Sequence, residues 1–290
     1  MFGYSDDNWV LAPSLPCLQE MMNTIEEYCN SHNLKFSTDP RPTKCKTKCI
    51  AYLKKERNLP SVFLGGNPLP WVKEGLHLGN HIANQYNGMT RDIRIKRAGY
   101  IDKNCELLQE FLFSHPKSRL EANKIFNSHF TGSPIWDLFS AEAIMLENSW
   151  NVSFRRMYDL PFQTHRNLVE PVSEQLHLKK MLIKRFLSFI NQIQKSDKIL
   201  PKQLLRLIQN DTRSITGCNL RRILILVKRS KVEEISKEDI ENIKYAELKD
   251  DDCWRVNLIK ELTNVKFGQV AVDGFSNEEI EEILQFACTS

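Results

Sequence analysis

The chain has 290 residues, 41% hydrophobic and 26% charged, which is ordinary globular composition and enough for one large domain or two of common size. It contains no apolar run of about 18 residues, and its start, "MFGYSDDNW", has neither part of a signal peptide, so an intracellular, soluble chain with no membrane partner is expected. The net charge of +4 hides an asymmetry: residues 231–290 hold 15 Asp/Glu against 7 Lys/Arg, so residues 1–230 carry +12, which fits either a polyanionic partner or a solvated surface.

Phe2 to Ala12 reads as two short strands around a turn, with Ser5-Asp6-Asp7-Asn8 as the turn. A helix follows, capped by Ser14, with Pro16 in its first turn and Leu18, Met21, Met22, Ile25 and Cys29 along one stripe. Leu34-Lys35-Phe36 reads as a strand, and so does "KTKCIAYLKK", by its alternation. "SVFLGGNPLPWV" turns at Gly65-Gly66-Asn67-Pro68, and "HLGNHI" is strand-like. Beyond Gly88 the apolar spacing becomes helical, with helices expected over 89–112, 120–130 and 140–150. A long amphipathic helix is expected over 173–195. Another opens at Pro201, another is "NLRRILILVKR", and a last one is capped by Asn277.

The pattern predicts an α+β fold: antiparallel hairpins first, then a mostly α-helical remainder. Three parts are expected: residues 1–85, the helical residues 86–230, and an acidic tail region, 231–290.

The adjacent carboxylates Asp6 and Asp7 raise two readings. Phosphoryl transfer to a hydroxyl can use two divalent metals, which favour carboxylate oxygens, and a hairpin tip presents such ligands on a rigid element. A polar hairpin turn also contains Asp and Asn for backbone reasons alone. Two aspartates do not complete a two-metal site; a further carboxylate is needed to bridge the ions.

The stretch "GYSDDNWVLAPSLPCLQEMMNTIEEYCNSHNLKFS" resembles the palm of a reverse transcriptase from non-LTR (LINE-type, jockey-like) retrotransposons. The matching residues are Tyr4-Ser5-Asp6-Asp7, Ala12-Pro13-Ser14 and Leu18-Gln19; Ser5 stands where the family usually has alanine. "KCKTKCIAYLKK" is similar to the next palm motif through Lys46-Thr47, and "LHLGNHI" to the primer-grip hairpin, with His77 in the aromatic place. "DIRIKRAGYI" resembles the thumb. "SHFTGSPIWDLFSAEAIMLENSWNVSFRRMYDLPFQTHR" resembles the helical region after it, through Gly132-Ser133, Trp136, Trp150, Asn151, Arg155 and Leu160-Pro161. The similarity runs from residue 2 to about 226.

The resemblance implies a partial reverse-transcriptase palm, a thumb, and RNA-directed DNA polymerase chemistry. It assigns catalysis and metal binding to Asp6 and Asp7, and the primer end to Tyr4 and Ser5. It puts Lys46 near the triphosphate and Leu78 and Gly79 on the primer strand. Arg91, Arg94, Lys96 and Arg97 would meet nucleic-acid phosphates. The implied partners are an RNA template, a DNA primer and deoxynucleoside triphosphates. The implied cofactor is Mg²⁺ or Mn²⁺, held only by a complete site. On this reading the fingers and the upstream palm carboxylate are missing, and the fragment is expected to be inactive alone. The alternatives are a non-catalytic nucleic-acid-binding remnant and an inert pseudogene product.

Other constellations carry less. His77 and His81 flank Gly79 in a strand context, which argues against a metal pair. Cys45 and Cys49 have no second pair at zinc-finger spacing. Eight cysteines in 290 residues are too few for a disulfide scaffold. Thr164-His165-Arg166 is expected in a Pro-bounded loop, and Trp136 and Trp150 as core anchors. There is no Walker loop and no Gly-x-Gly-x-x-Gly.

Overall fold

The computed structural model describes residues 2–4, 7–39, 41, 44–53, 57–84, 87–126, 130–174, 176–211, 213–231, 234–241, 252–267 and 276–289. The fold is α+β, and the chain divides into two compact units, 1–92 and 93–290.

In the first unit, strands β1 (Phe2–Tyr4) and β2 (Asp7–Trp9) pair antiparallel. Helix α1 (Leu15–Ser31) follows, with the Ser14 hydroxyl accepting from the Cys17 N–H at 3.4 Å and Pro16 in the first turn. It stops where Asn33 takes φ 55°, a left-handed conformation that asparagine tolerates. Strands β3 (Val62–Leu64) and β4 (Asn67–Leu69) form a hairpin over Gly65-Gly66, both at positive φ (61° and 72°), as a tight two-residue turn requires. Strands β5 (Glu74–His77) and β6 (Asn80–Ala83) form a third hairpin.

The apolar stripe of α1 packs on β3. Met22, Cys49, Val62, Leu64 and Leu69 are buried, with Leu15, Leu18 and Ile25 partly buried around them. Gln19 ties the same two elements together: its amide accepts from the Phe63 N–H at 2.8 Å and donates to the Phe63 carbonyl at 2.9 Å.

Two expected strands do not form. Residues 34–39 form no regular element: Leu34 is 54% exposed, the Thr38 N–H turns back onto the Phe36 carbonyl at 3.0 Å, and no ladder pairs them among the described residues. Of residues 46–53, the described part of the second expected strand, only Cys49 bridges, alongside Trp71, through bonds of 3.0 Å to the Pro70 carbonyl and 2.9 Å from the Val72 N–H. Alternation gave both segments strand character, but a strand needs a neighbouring backbone to pair with.

The second unit is helical. Helix α2 (Asn87–Glu110) runs from one unit's residues into the other's. It is followed by α3 (Pro116–Phe126), α4 (Ala141–Met157), α5 (Arg166–Ser173) and α6 (Leu178–Lys195). Then come α7 (Ile199–Asn210), α8 (Ile215–Val227), the short α9 (Lys237–Glu241), α10 (Asp252–Phe267) and α11 (Asn277–Thr289).

The helix expected over 173–195 starts later, at Leu178. Glu174 at φ 57° ends α5 in a left-handed cap, and α6 restarts after His177. His165-Arg166 opens α5 rather than lying in a loop. The last helix is capped by Ser276, not Asn277. The Ser276 hydroxyl accepts from the Glu279 N–H at 3.2 Å, while the Glu279 carboxylate accepts from the Ser276 N–H at 2.6 Å, a reciprocal capping box.

The core of this unit runs from Ile93 to Cys288. At its centre Tyr100, Phe130, Trp136, Trp150 and Phe154 make a chain of ring contacts with centroids 5.3–6.1 Å apart. The acidic residues 231–290 contribute to this same core through Ile240, Val256, Ile259, Ile280, Leu284 and Ala287.

Candidate functional site

The hairpin register pairs Phe2 with Trp9, Gly3 with Asn8 and Tyr4 with Asp7. Asp7 and Asn8, expected in the turn, therefore belong to β2, and the connection between the strands is only two residues long, Ser5 and Asp6. Those two lie outside the described residues.

Two residues beyond Asp7, the ring of Trp9 lies against that of His77, with centroids 4.9 Å apart and planes tilted by 56°. His77 ends β5, so this contact sets the Tyr4–Asp7 hairpin beside the β5–β6 hairpin. The turn of the latter is Leu78-Gly79, both left-handed at φ 48° and 74°, with His77 paired to Asn80. Left-handed backbone costs a leucine roughly 1–2 kcal/mol, and Leu78 is also 46% exposed.

Two bonds from the first turns of α2 hold this hairpin in place. The buried Asp92 accepts from the His81 N–H at 2.9 Å, and Arg91 pairs with Glu74.

Lys46 is exposed, in a bend between the buried Cys45 and Cys49. The Cys45 thiol donates to the Thr47 carbonyl at 2.9 Å, which shapes that bend. Burial, followed by the nearby Cys45, pushes the Cys49 thiol up to about 11, so it stays protonated and apolar in character. Ile50, further along, packs near Gly75 of β5, where an added Cβ would sit 3.5 Å from its Cδ1.

The α2 cations are engaged within their own units. Beyond the Arg91–Glu74 pair, Arg94 binds the Glu142 carboxylate at 2.9 Å and holds its pKa below the usual range. Arg97 donates to the Ser149 hydroxyl at 2.7 Å, and Lys96 is half-buried. These heads therefore pin α2 to its neighbours, a use that helical spacing alone did not suggest.

A second polar cluster, not anticipated from the sequence, lies between α4, α5 and α6. Glu147 is buried and pairs with Arg166. His177 is buried beside them, its Nε2 3.2 Å from Asn151 Oδ1 and 3.6 Å from Glu147. Its Nδ1 accepts from the Lys179 N–H at 3.4 Å, so the ring is neutral and carries its proton on Nε2. Glu147 alone would favour a charged ring. Burial comes first against that, and Arg166, Lys180 and Lys179 add to it, so the His177 pKa falls to about 3.

Among the described residues no group of three or more His, Cys, Asp and Glu side chains could hold a metal ion, and no helix is long and apolar enough to cross a membrane. Set against known proteins, the chain matches no family model, no curated protein and no solved structure.

Proposed function

We propose that this chain is the section of an RNA-directed DNA polymerase of a non-LTR retrotransposon that runs from the palm hairpin into the thumb. The observation that carries the reading is the Trp9–His77 contact. Nucleotidyl transfer needs the primer's terminal hydroxyl beside the metal-holding carboxylates, so an element gripping the primer has to adjoin the carboxylate hairpin. The β1–β2 and β5–β6 hairpins adjoin through the Trp9–His77 ring pair.

In this reading Asp6 and Asp7 hold Mg²⁺ or Mn²⁺, ions that favour their carboxylate oxygens. The bound ions supply charge neutralisation at the attacking and leaving oxygens. The chain's own residues do the positioning. Tyr4 and Ser5 line the primer terminus, and Leu78-Gly79 supports the primer backbone, with Gly79 leaving room for close approach. Lys46, exposed on its bend, meets the triphosphate of the incoming nucleotide. Asp6 and Asp7 are two ligands where a two-metal site needs more, so the chain alone does not extend a primer.

The test is a photoreactive nucleotide at the 3′ end of a DNA primer annealed to an RNA template. Crosslinks are expected in residues 2–9 and 74–83; crosslinks confined to residues 93–290 refute the reading. A parallel extension assay with Asp6→Asn is expected to show no synthesis by either protein. Synthesis lost on that change would show that the missing ligand is present in the chain.

A further inference from the structure

Most of the net positive charge of the first 230 residues falls in one helical stretch. Residues 178–230, which hold α6, α7 and α8, contain thirteen Lys/Arg and two Asp; residues 1–177 hold twenty Lys/Arg and nineteen Asp/Glu, nearly balanced. Residues 41–57 are also basic, with seven Lys/Arg and one Glu, but the rest of residues 1–177 offsets them, and α2 itself is nearly balanced.

The structure sorts these thirteen cations. Lys179 and Lys180 are buried, and point to the Leu138 carbonyl and to Glu170. Arg185 donates to the Phe130 carbonyl, and Arg221 to that of Gly217. Arg213, Arg222 and Arg229 pair with Asp211, Asp137 and Asp239. Lys184, Lys195, Lys198, Lys202, Arg206 and Lys228 remain, and none of them has an ion pair among the described residues; all are exposed except the half-buried Lys202. Lys198, Lys202 and Arg206 recur every four residues, from the cap of α7 along one side of it. At 1.5 Å per residue their Cα atoms advance about 6 Å each. That interval is of the same order as the distance between successive phosphates along a nucleic-acid strand.

We infer that the α6–α8 stretch is a nucleic-acid backbone-binding surface, centred on Lys198, Lys202 and Arg206 of α7. Its ligand is a single strand of RNA or DNA, bound through phosphates without sequence preference. An acidic peptide is disfavoured by the regular repeat of single charges, which matches a polymer with one charge per unit. The surface requires no catalysis, so it stands or falls independently of the polymerase reading.

Counterion release gives a quantitative test, because the salt slope of log K scales with phosphates neutralised, by about 0.7 per phosphate for single strands. The full chain is titrated with a 30-nucleotide single-stranded RNA over a range of NaCl concentrations. The triple change Lys198→Ala, Lys202→Ala, Arg206→Ala should lower the slope by about 2. The charge-keeping pair Lys198→Arg, Lys202→Arg should leave it intact, which separates lost charge from lost folding. The same alanine change at Arg91, Arg94 and Arg97 should move it by less than the α7 change. An unchanged slope in the α7 triple variant overturns the proposal, as does a larger loss from the α2 variant. Displacement of the RNA by polyglutamate at equal charge concentration also overturns it, and assigns the surface to an acidic polypeptide.

Discussion

The two units hold their folds by different means. In residues 93–290 the core joins Trp136, Phe186, Ile259 and many other side chains, nearly all of them deeply buried. In residues 1–92 it is Met22, Cys49, Val62, Leu64 and Leu69, while Leu11, Tyr28, Leu34, Tyr52 and Leu76 are each more than half exposed. The first unit depends more on hairpin turns, on Gln19 bridging to Phe63 and on Asp92 and Arg91 anchoring β5–β6. Residues that suggest chemistry thus lie in the unit with the smaller core, where local stability is low and strands open more readily. The helical unit supplies most of the buried core.

Chemical denaturation should show two transitions, the first from residues 1–92. Trp136→Ala should lower the second by about 3–5 kcal/mol, since a fully buried ring leaves a cavity its neighbours cannot fill. Leu64→Ala should lower the first by about 2–3 kcal/mol and leave the second in place. A single transition that both changes shift equally would show one cooperative fold.

Acid should separate the units next. His177 has a folded pKa of about 3, below its unfolded value, so the unfolded chain binds its proton first. Its contribution is complete above about pH 6.5 and is lost as pH falls toward 3, at up to about 1.4 kcal/mol per pH unit. The second transition should therefore move with pH in this window, and His177→Gln should flatten the dependence. An equally steep profile in that variant would assign the effect to other groups.

The smallest effect belongs to the first unit. Leu78→Asn puts a residue that tolerates left-handed backbone into the β5–β6 turn, and should raise the first transition by about 1 kcal/mol. No gain would mean that the leucine side chain has contacts that compensate its backbone.

What the sequence made legible was mostly local. Ser14 and Pro16 start α1 as their chemistry dictates, and the paired glycines at 65 and 66 turn a hairpin. Failures came where distant partners decide. Residues 34–36 and 46–53 were expected as strands yet find no ladder among the described residues, and Glu174, left-handed, ends α5 so that the helix expected from 173 starts only at Leu178. At the candidate site the Tyr4–Asp7 hairpin was readable, but the Trp9–His77 contact was not, because nothing local to either residue encodes the other. The α2 arginines looked available because sequence spacing shows a cation and hides its partner. The basic stretch on α6–α8 was countable from the start; averaging charge over 230 residues concealed it.

The reach of the second core, from Ile93 to Cys288, bears on how the molecule is made. The Cys288 carbonyl accepts a bond of 3.3 Å from the His165 N–H, and Ala287 and Cys288 are fully buried. This unit's core is complete only once α11 has left the ribosome, a wait of almost two hundred residues after Ile93. At ~5–20 residues per second that wait is roughly 10–40 s. During it, Trp136, Leu146 and Phe186, fully buried in the finished fold, have only the neighbours already made.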